Sequence, residues 1–205
     1  MARRPTLSLN EWAVLGLLVE TPRHGYDVAA ELRPDRPLGE IWTLSRQLVY
    51  RAIGRLEALG LIEPRRHEPG QSGPPRTVYG PTRRGRTELY AWLATPVEHL
   101  RDVRSGLLVK LSLSDRLAVD PRRLLDAQAD ALAGRFAELA TPPEDSGDIA
   151  GLWRHHSAAA VQAFLTTMRE ALDRFDLPPE NPSMSQKRPP SARDAVAGEG
   201  VERMA

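Results

Sequence analysis

Residues 44–79 constrain the fold more than any other stretch, because a helical period, a helix stop and a turn-rich strand pair follow one another there. At about 100° per residue, Leu48, Val49, Ala52, Ile53, Leu56 and Leu59 fall on one helix face, and Gln47, Tyr50, Arg51 and Gly54 fall on the opposite one. Ser45 can accept from the first free backbone donors, and Gly60 can take the left-handed conformation that stops a helix. The pattern predicts a helix with one face packed and the other open to a partner.

Leu61–Arg65 and Arg76–Tyr79 have strand composition, and the turn-forming run 68–75 between them is too polar to pack. Helix, hairpin with a basic tip, then another helix is the order of a winged helix-turn-helix, whose helix enters the major groove while the wing follows the phosphates. Charge points the same way. Between Ser45 and Thr87 nine arginines face three acids, Glu57, Glu63 and Glu68, an excess of +6. A compact basic surface of that size seeks a polyanion.

Earlier in the chain, Ser8 and Glu11 make a capping box for a helix over about 9–20. Arg3 and Arg4 before an apolar run imitate a signal peptide, but Glu11, Trp12 and Glu20 interrupt it and the run is too short to span a bilayer. Thr21–Gly25 breaks the first helix, Tyr26–Leu32 forms a short second one, and Pro34 and Pro37 close it. Thr82 caps a further helix that carries Leu89, Trp92 and Leu93 on one face and ends at Pro96.

Beyond residue 96 come three apolar-striped segments, about 98–113, 121–140 and 149–175. Asp120-Pro121 is expected to open the second with proline at its first helical position. The last two can pack as a helical hairpin that leaves apolar surface uncovered, for which a second copy of the chain is the simplest cover. The fold class is therefore mainly α: a winged helix-turn-helix domain of three helices plus a β-hairpin over 1–95, then a helical dimerisation and effector region over 96–177. Proline, serine, glycine and charge dominate 178–205, where a disordered tail is expected.

The 205 residues include 27% charged and 41% hydrophobic side chains, enough for a core in a soluble, cytoplasmic protein. With no cysteine there is no thiolate nucleophile and no cysteine zinc site. The sequence carries no HExxH, GxSxG, P-loop or GxGxxG pattern, and its five histidines never stand at i, i+4. Neither an enzyme, a cofactor nor a metal site is expected. Arg51 and Gln47 are the candidates for base readout, since a guanidinium suits guanine and an amide suits adenine in the major groove. Tyr26, Arg46 and Tyr50 are expected at phosphates near the helix start, Arg65, Arg66 and Arg76 are expected to act through charge along the wing, and Ser45 and Arg55 complete the candidate DNA-binding set.

Leu9–Leu18, then Pro22-Arg23-His24-Gly25-Tyr26, then Gln47–Ala52 with Leu56–Ile62, and Gly73–Tyr79 leading to Thr82–Arg86, resemble the PadR family of transcriptional regulators. Leu100-Arg101-Asp102 and Leu107–Leu111 resemble it more weakly, and Gly54 and Arg55 depart from its usual residues. The resemblance implies a homodimer that binds double-stranded DNA at an inverted repeat and represses nearby genes until a small molecule releases it. It also implies an effector site beside the helical region, where Trp92, Trp153, Phe136 and Phe164 are the aromatic residues at hand for an aromatic or hydrophobic ligand. The alternative is a winged-helix protein-interaction module without sequence-specific DNA binding.

Overall fold

The structure, a computed structural model, describes residues 6–68, 76–145 and 147–174. Helix α1 spans Leu9–Glu20, and its capping box is formed as expected: Ser8 N donates to Glu11 at 2.6 Å and Ser8 Oγ accepts from Glu11 N at 3.4 Å. Strand β1 (Arg23–His24) leads directly into α2 (Gly25–Glu31), followed by a single turn, α3 (Pro37–Ile41). Helix α4 (Arg46–Ala58) is capped by the Ser45 hydroxyl, and the chain turns at Gly60 with φ +65°. Strands β2 (Ile62–Glu68) and β3 (Arg76–Pro81) form the hairpin, and α5 (Arg83–Leu93) follows it under the Thr82 cap.

Two of these pieces, β1 and α3, go beyond the expected three helices and a hairpin. Strand β1 is too short to pair by propensity; Arg23 and His24 join the sheet because Tyr79 and Val78 of β3 offer them an antiparallel edge. The sheet order is β1-β3-β2, with a bulge at Arg65. Ile62 of β2 and Tyr79 of the central strand pack against the helix core, so their face of the sheet lies against the helices.

The segment expected as one helix over 98–113 is broken into a 3₁₀ turn (Leu100–Asp102), a π turn (Val103–Leu107) and α6 (Leu108–Arg116). It is also two-sided. Val103, Leu107 and Leu111 enter a core shared with α7 (Arg122–Glu138) and α8 (Ile149–Arg174), as the striping predicts, whereas Val109 and Leu113 enter the core of α1, α2, α4 and α5. At Gly16 of α1 an added Cβ would lie 2.5 Å from Leu113 Cδ1, so the missing side chain is what lets α6 approach this closely.

Polar ties reinforce the junction. Arg116 bonds Glu20 at the end of α1 (2.8 Å) and Glu31 at the end of α2 (2.9 Å). Gln128, buried on α7, accepts from Val97 N at 2.7 Å and donates to Val97 O at 3.0 Å. Lys110 Nζ donates to Trp92 O at 2.7 Å and Thr95 O at 2.5 Å, two carbonyls at the end of α5, the first of which also accepts from Thr95 N at 3.1 Å. Burial pushes its ammonium down to about 8.

Helix α7 begins one residue later than expected: Pro121 is its N-cap, while Asp120 Oδ1 accepts from Arg122 N at 3.0 Å. Arg122, with Arg169 beside it, lowers the Asp120 carboxyl against a burial that would raise it. Most of the wing tip and the tail from 178 onward lie outside the described residues. No helix of the described residues is long and apolar enough to cross a membrane.

Candidate nucleic-acid interface

The amphipathic reading of α4 carries through to the side chains. Val49, Ala52, Ile53 and Leu56 are buried, and Arg46, Gln47, Tyr50, Arg51 and Gly54 are exposed. Burying the first set fixes the helix's rotation, so Gln47 and Arg51, four residues apart, point outward from one stripe. Among the described residues neither is held by a hydrogen bond or ion pair. Their amide and guanidinium are available to a base edge.

A second group gathers where α2 and α4 begin. The Arg46 guanidinium lies 5.0 Å from the Tyr26 ring centroid, and the Tyr50 ring packs over Gly25, where a Cβ would stand 2.7 Å from Tyr50 Cε1. Tyr26 and Tyr50 are nevertheless 52% and 48% exposed, with an apolar ring flank resting on the protein. Ser45 is occupied by its cap, accepting from Leu48 N at 3.4 Å.

Arg55 is exposed, yet its guanidinium is taken up by partners within the chain. Its Nε lies 2.9 Å from Glu11 Oε1 and its NH2 donates to Thr6 O at 3.3 Å. It stitches α4 to the capping box of α1. Glu11, nearly buried, thus accepts from Ser8 N and pairs with Arg55 at once.

The wing is less uniformly cationic than its arginine count. Arg65 pairs with Glu63 at 2.8 Å and donates to Pro81 O at 2.6 Å, and Arg66 pairs with Glu68 at 2.5 Å. Arg76 is exposed and stands opposite Glu68 in the strand register. Glu68 also accepts from His24 Nε2 at 2.9 Å, a contact that spans the sheet. Arg66 first, then His24, holds the Glu68 carboxyl below the ordinary carboxylate range. These acids were open to sequence reasoning, because residues two apart on a strand share a face.

The four aromatic candidates for an effector are not brought together. Trp92 stacks on Trp12 (centroids 4.9 Å apart, planes 9°), with Lys110 Nζ 4.4 Å above its ring, beside a cavity of about 480 Å³. Trp153, 73% exposed, and Phe164 share a larger cavity of about 880 Å³ with Val103, Leu108, Leu132 and Leu139. Phe136 lines a third space, about 650 Å³, between α7 and α8. Trp12 and Lys110 are partners of Trp92 that the sequence did not single out. Among the described residues no group of three or more His, Asp or Glu is arranged to hold a metal ion.

An apolar-backed helix presenting an amide, a phenol and guanidinium groups beside a three-stranded wing defines a winged helix-turn-helix domain, with further helices after it. Residues 14–91 match the model of the transcriptional regulator PadR-like family. The chain is 34% identical over 104 residues to a Mycobacterium tuberculosis (strain ATCC 25618 / H37Rv) protein named "Probable transcriptional regulator Rv1176c". That match takes in 50% of this chain and 53% of the relative, so the chain spans about half the length of the curated relative it matches. Among solved structures, Bacillus subtilis PadR in complex with operator DNA is similar at 19% identity and TM-score 0.43, over 83% of this chain and 97% of that one. The same protein in complex with p-coumaric acid is similar at 20% identity and TM-score 0.39, over 81% and 99%.

Proposed function

We propose that this chain is a cytoplasmic, homodimeric, ligand-responsive repressor that binds an inverted-repeat operator in double-stranded DNA and catalyses no reaction. The exposed α4 stripe of Gln47 and Arg51, clear of every internal partner among the described residues, is the observation that supports the reading best. Both are side chains that recognise purine edges bidentately in the major groove. Tyr26, Arg46 and Tyr50 flank that stripe and would meet phosphates on either side. In this reading residues 1–95 bind DNA, 96–177 dimerise and receive an effector, and 178–205 form a tail.

Dimerisation is supported by apolar surface on α8: Ile149 is 79% exposed and Trp153 73%. Leu132, by contrast, is filled by the chain's own packing. The cavity shared by Trp153 and Phe164 suits an aromatic or hydrophobic effector, which must bind the DNA-incompetent arrangement more tightly to release the operator. Footprinting of the DNA upstream of its own gene, with a salt titration, tests the function. A protected inverted repeat with half-sites about 34 Å apart, or a multiple of that, and an affinity that falls steeply with salt are expected. Absence of DNA binding at low salt would overturn it.

A further inference from the structure

Glu68 is the one acid on the far end of β2, and it sits among basic side chains from all three strands of the sheet: an imidazole and two guanidinium groups. Its carboxylate accepts from Arg66 Nε on its own strand at 2.5 Å and from His24 Nε2 on β1 at 2.9 Å, and Arg76 on β3 is its register partner. His24 and Arg66 both stand level with Val78, so their side chains rise from one sheet face and converge over it. A carboxylate only accepts, so His24 Nε2 carries a proton toward it; His24 Nδ1 is buried without a partner. The imidazole therefore has one outlet for hydrogen bonding, and it is aimed at the spot that Glu68 fills.

Convergent imidazole and guanidinium donors around one acceptor are what a phosphate oxygen requires. We propose that His24, Arg66 and Arg76 form a phosphate-binding site at the end of the wing, closed by Glu68 in the free protein and opened when a DNA phosphate takes the carboxylate's place. Glu68 can leave cheaply. Its side chain is 39% exposed, and an exposed strand ion pair of this kind contributes little to stability. The consequence is a wing that holds back part of its charge until a polyanion competes for it, so that Glu68 weakens DNA binding in a chain otherwise built to attract it.

This inference rests on DNA binding by the domain, and the experiment separates the two. Affinity of wild type, Glu68→Gln, Arg66→Gln and the double variant for a random 30-base-pair duplex is measured by fluorescence anisotropy across a salt series, with thermal melts to check folding. Glu68→Gln should steepen the log–log salt slope by about 0.9 per subunit and tighten binding about eightfold per subunit near 0.1 M salt. Most of that gain should vanish in the Arg66→Gln background. If Glu68→Gln leaves the slope unchanged, or gains equally with and without Arg66, the masked site is refuted while DNA binding stands. In parallel, histidine-selective ¹⁵N spectra are recorded with inorganic pyrophosphate. His24 should shift at lower pyrophosphate in Glu68→Gln than in wild type, even if the wild type binds no DNA. Identical His24 titrations in the two proteins would overturn the site.

Discussion

Lys110 offers a sharp test of how the winged helix is joined to the helices behind it. Its ammonium is 2% exposed, donates to the Trp92 and Thr95 carbonyls, and lies over the Trp92 ring. Burial lowers it from 10.5 to about 8 in the folded chain. In the unfolded chain it keeps its proton to about 10.5, so between the two values the unfolded state binds more protons and stability rises with pH. The full difference corresponds to roughly 3 kcal/mol, and that is a ceiling because the two carbonyls and the ring favour the charged form. The sequence makes the experiment clean: with no cysteine, and with Lys187 as the other lysine, few groups titrate in this window. Urea unfolding should show a midpoint that rises from pH 7.5 to 9.5 in wild type and stays flat over that range in Lys110→Met. Above pH 10 the raised Tyr79 phenol, desolvated and near Glu57, works the other way and sets the upper limit of the scan. A wild-type midpoint that falls or stays level between pH 7.5 and 9.5 would refute the buried ammonium.

Leu113, fully buried between α6 and α1, should cost about 2–5 kcal/mol when cut to alanine and lower a single unfolding transition seen by all probes. Arg55→Ala should lose about 1 kcal/mol in urea unfolding through its tie to Glu11, yet leave the ratio of operator to random-DNA affinity unchanged. Phe164→Glu, at a part-buried position of α8 beside the second core, should give a monomer in sedimentation and abolish operator binding while α1–α5 keep their fold. Ligands that release the operator should quench wild-type tryptophan fluorescence more than that of Trp153→Leu; equal quenching would remove Trp153 from the effector site.

Helix α1 was legible in the sequence by its capping box, and α4 by its opposed faces, down to which α4 side chains point outward. Pieces fixed by tertiary pairing were not. Strand β1 exists because β3 presents an open edge, and α6 buries both faces, so its stripe revealed only one of the two cores it joins. For the candidate site, exposure was readable but partnership was only partly so. Arg55 was rightly placed on the surface, yet nothing in its neighbourhood of sequence announces Glu11, forty-four positions away. The pairs Glu63–Arg65 and Arg66–Glu68, two residues apart on one strand, could have been foreseen, and they take up two of the three arginines on the wing strands.

The central claim is that α4 reads bases through Gln47 and Arg51, and the most direct measurement compares the affinities of wild type, Gln47→Ala and Arg51→Ala for the footprinted operator and for a random duplex at one salt concentration. Each substitution should cost about 1–3 kcal/mol on the operator and far less on random DNA. Equal losses on both duplexes would contradict base readout and leave these side chains as phosphate contacts.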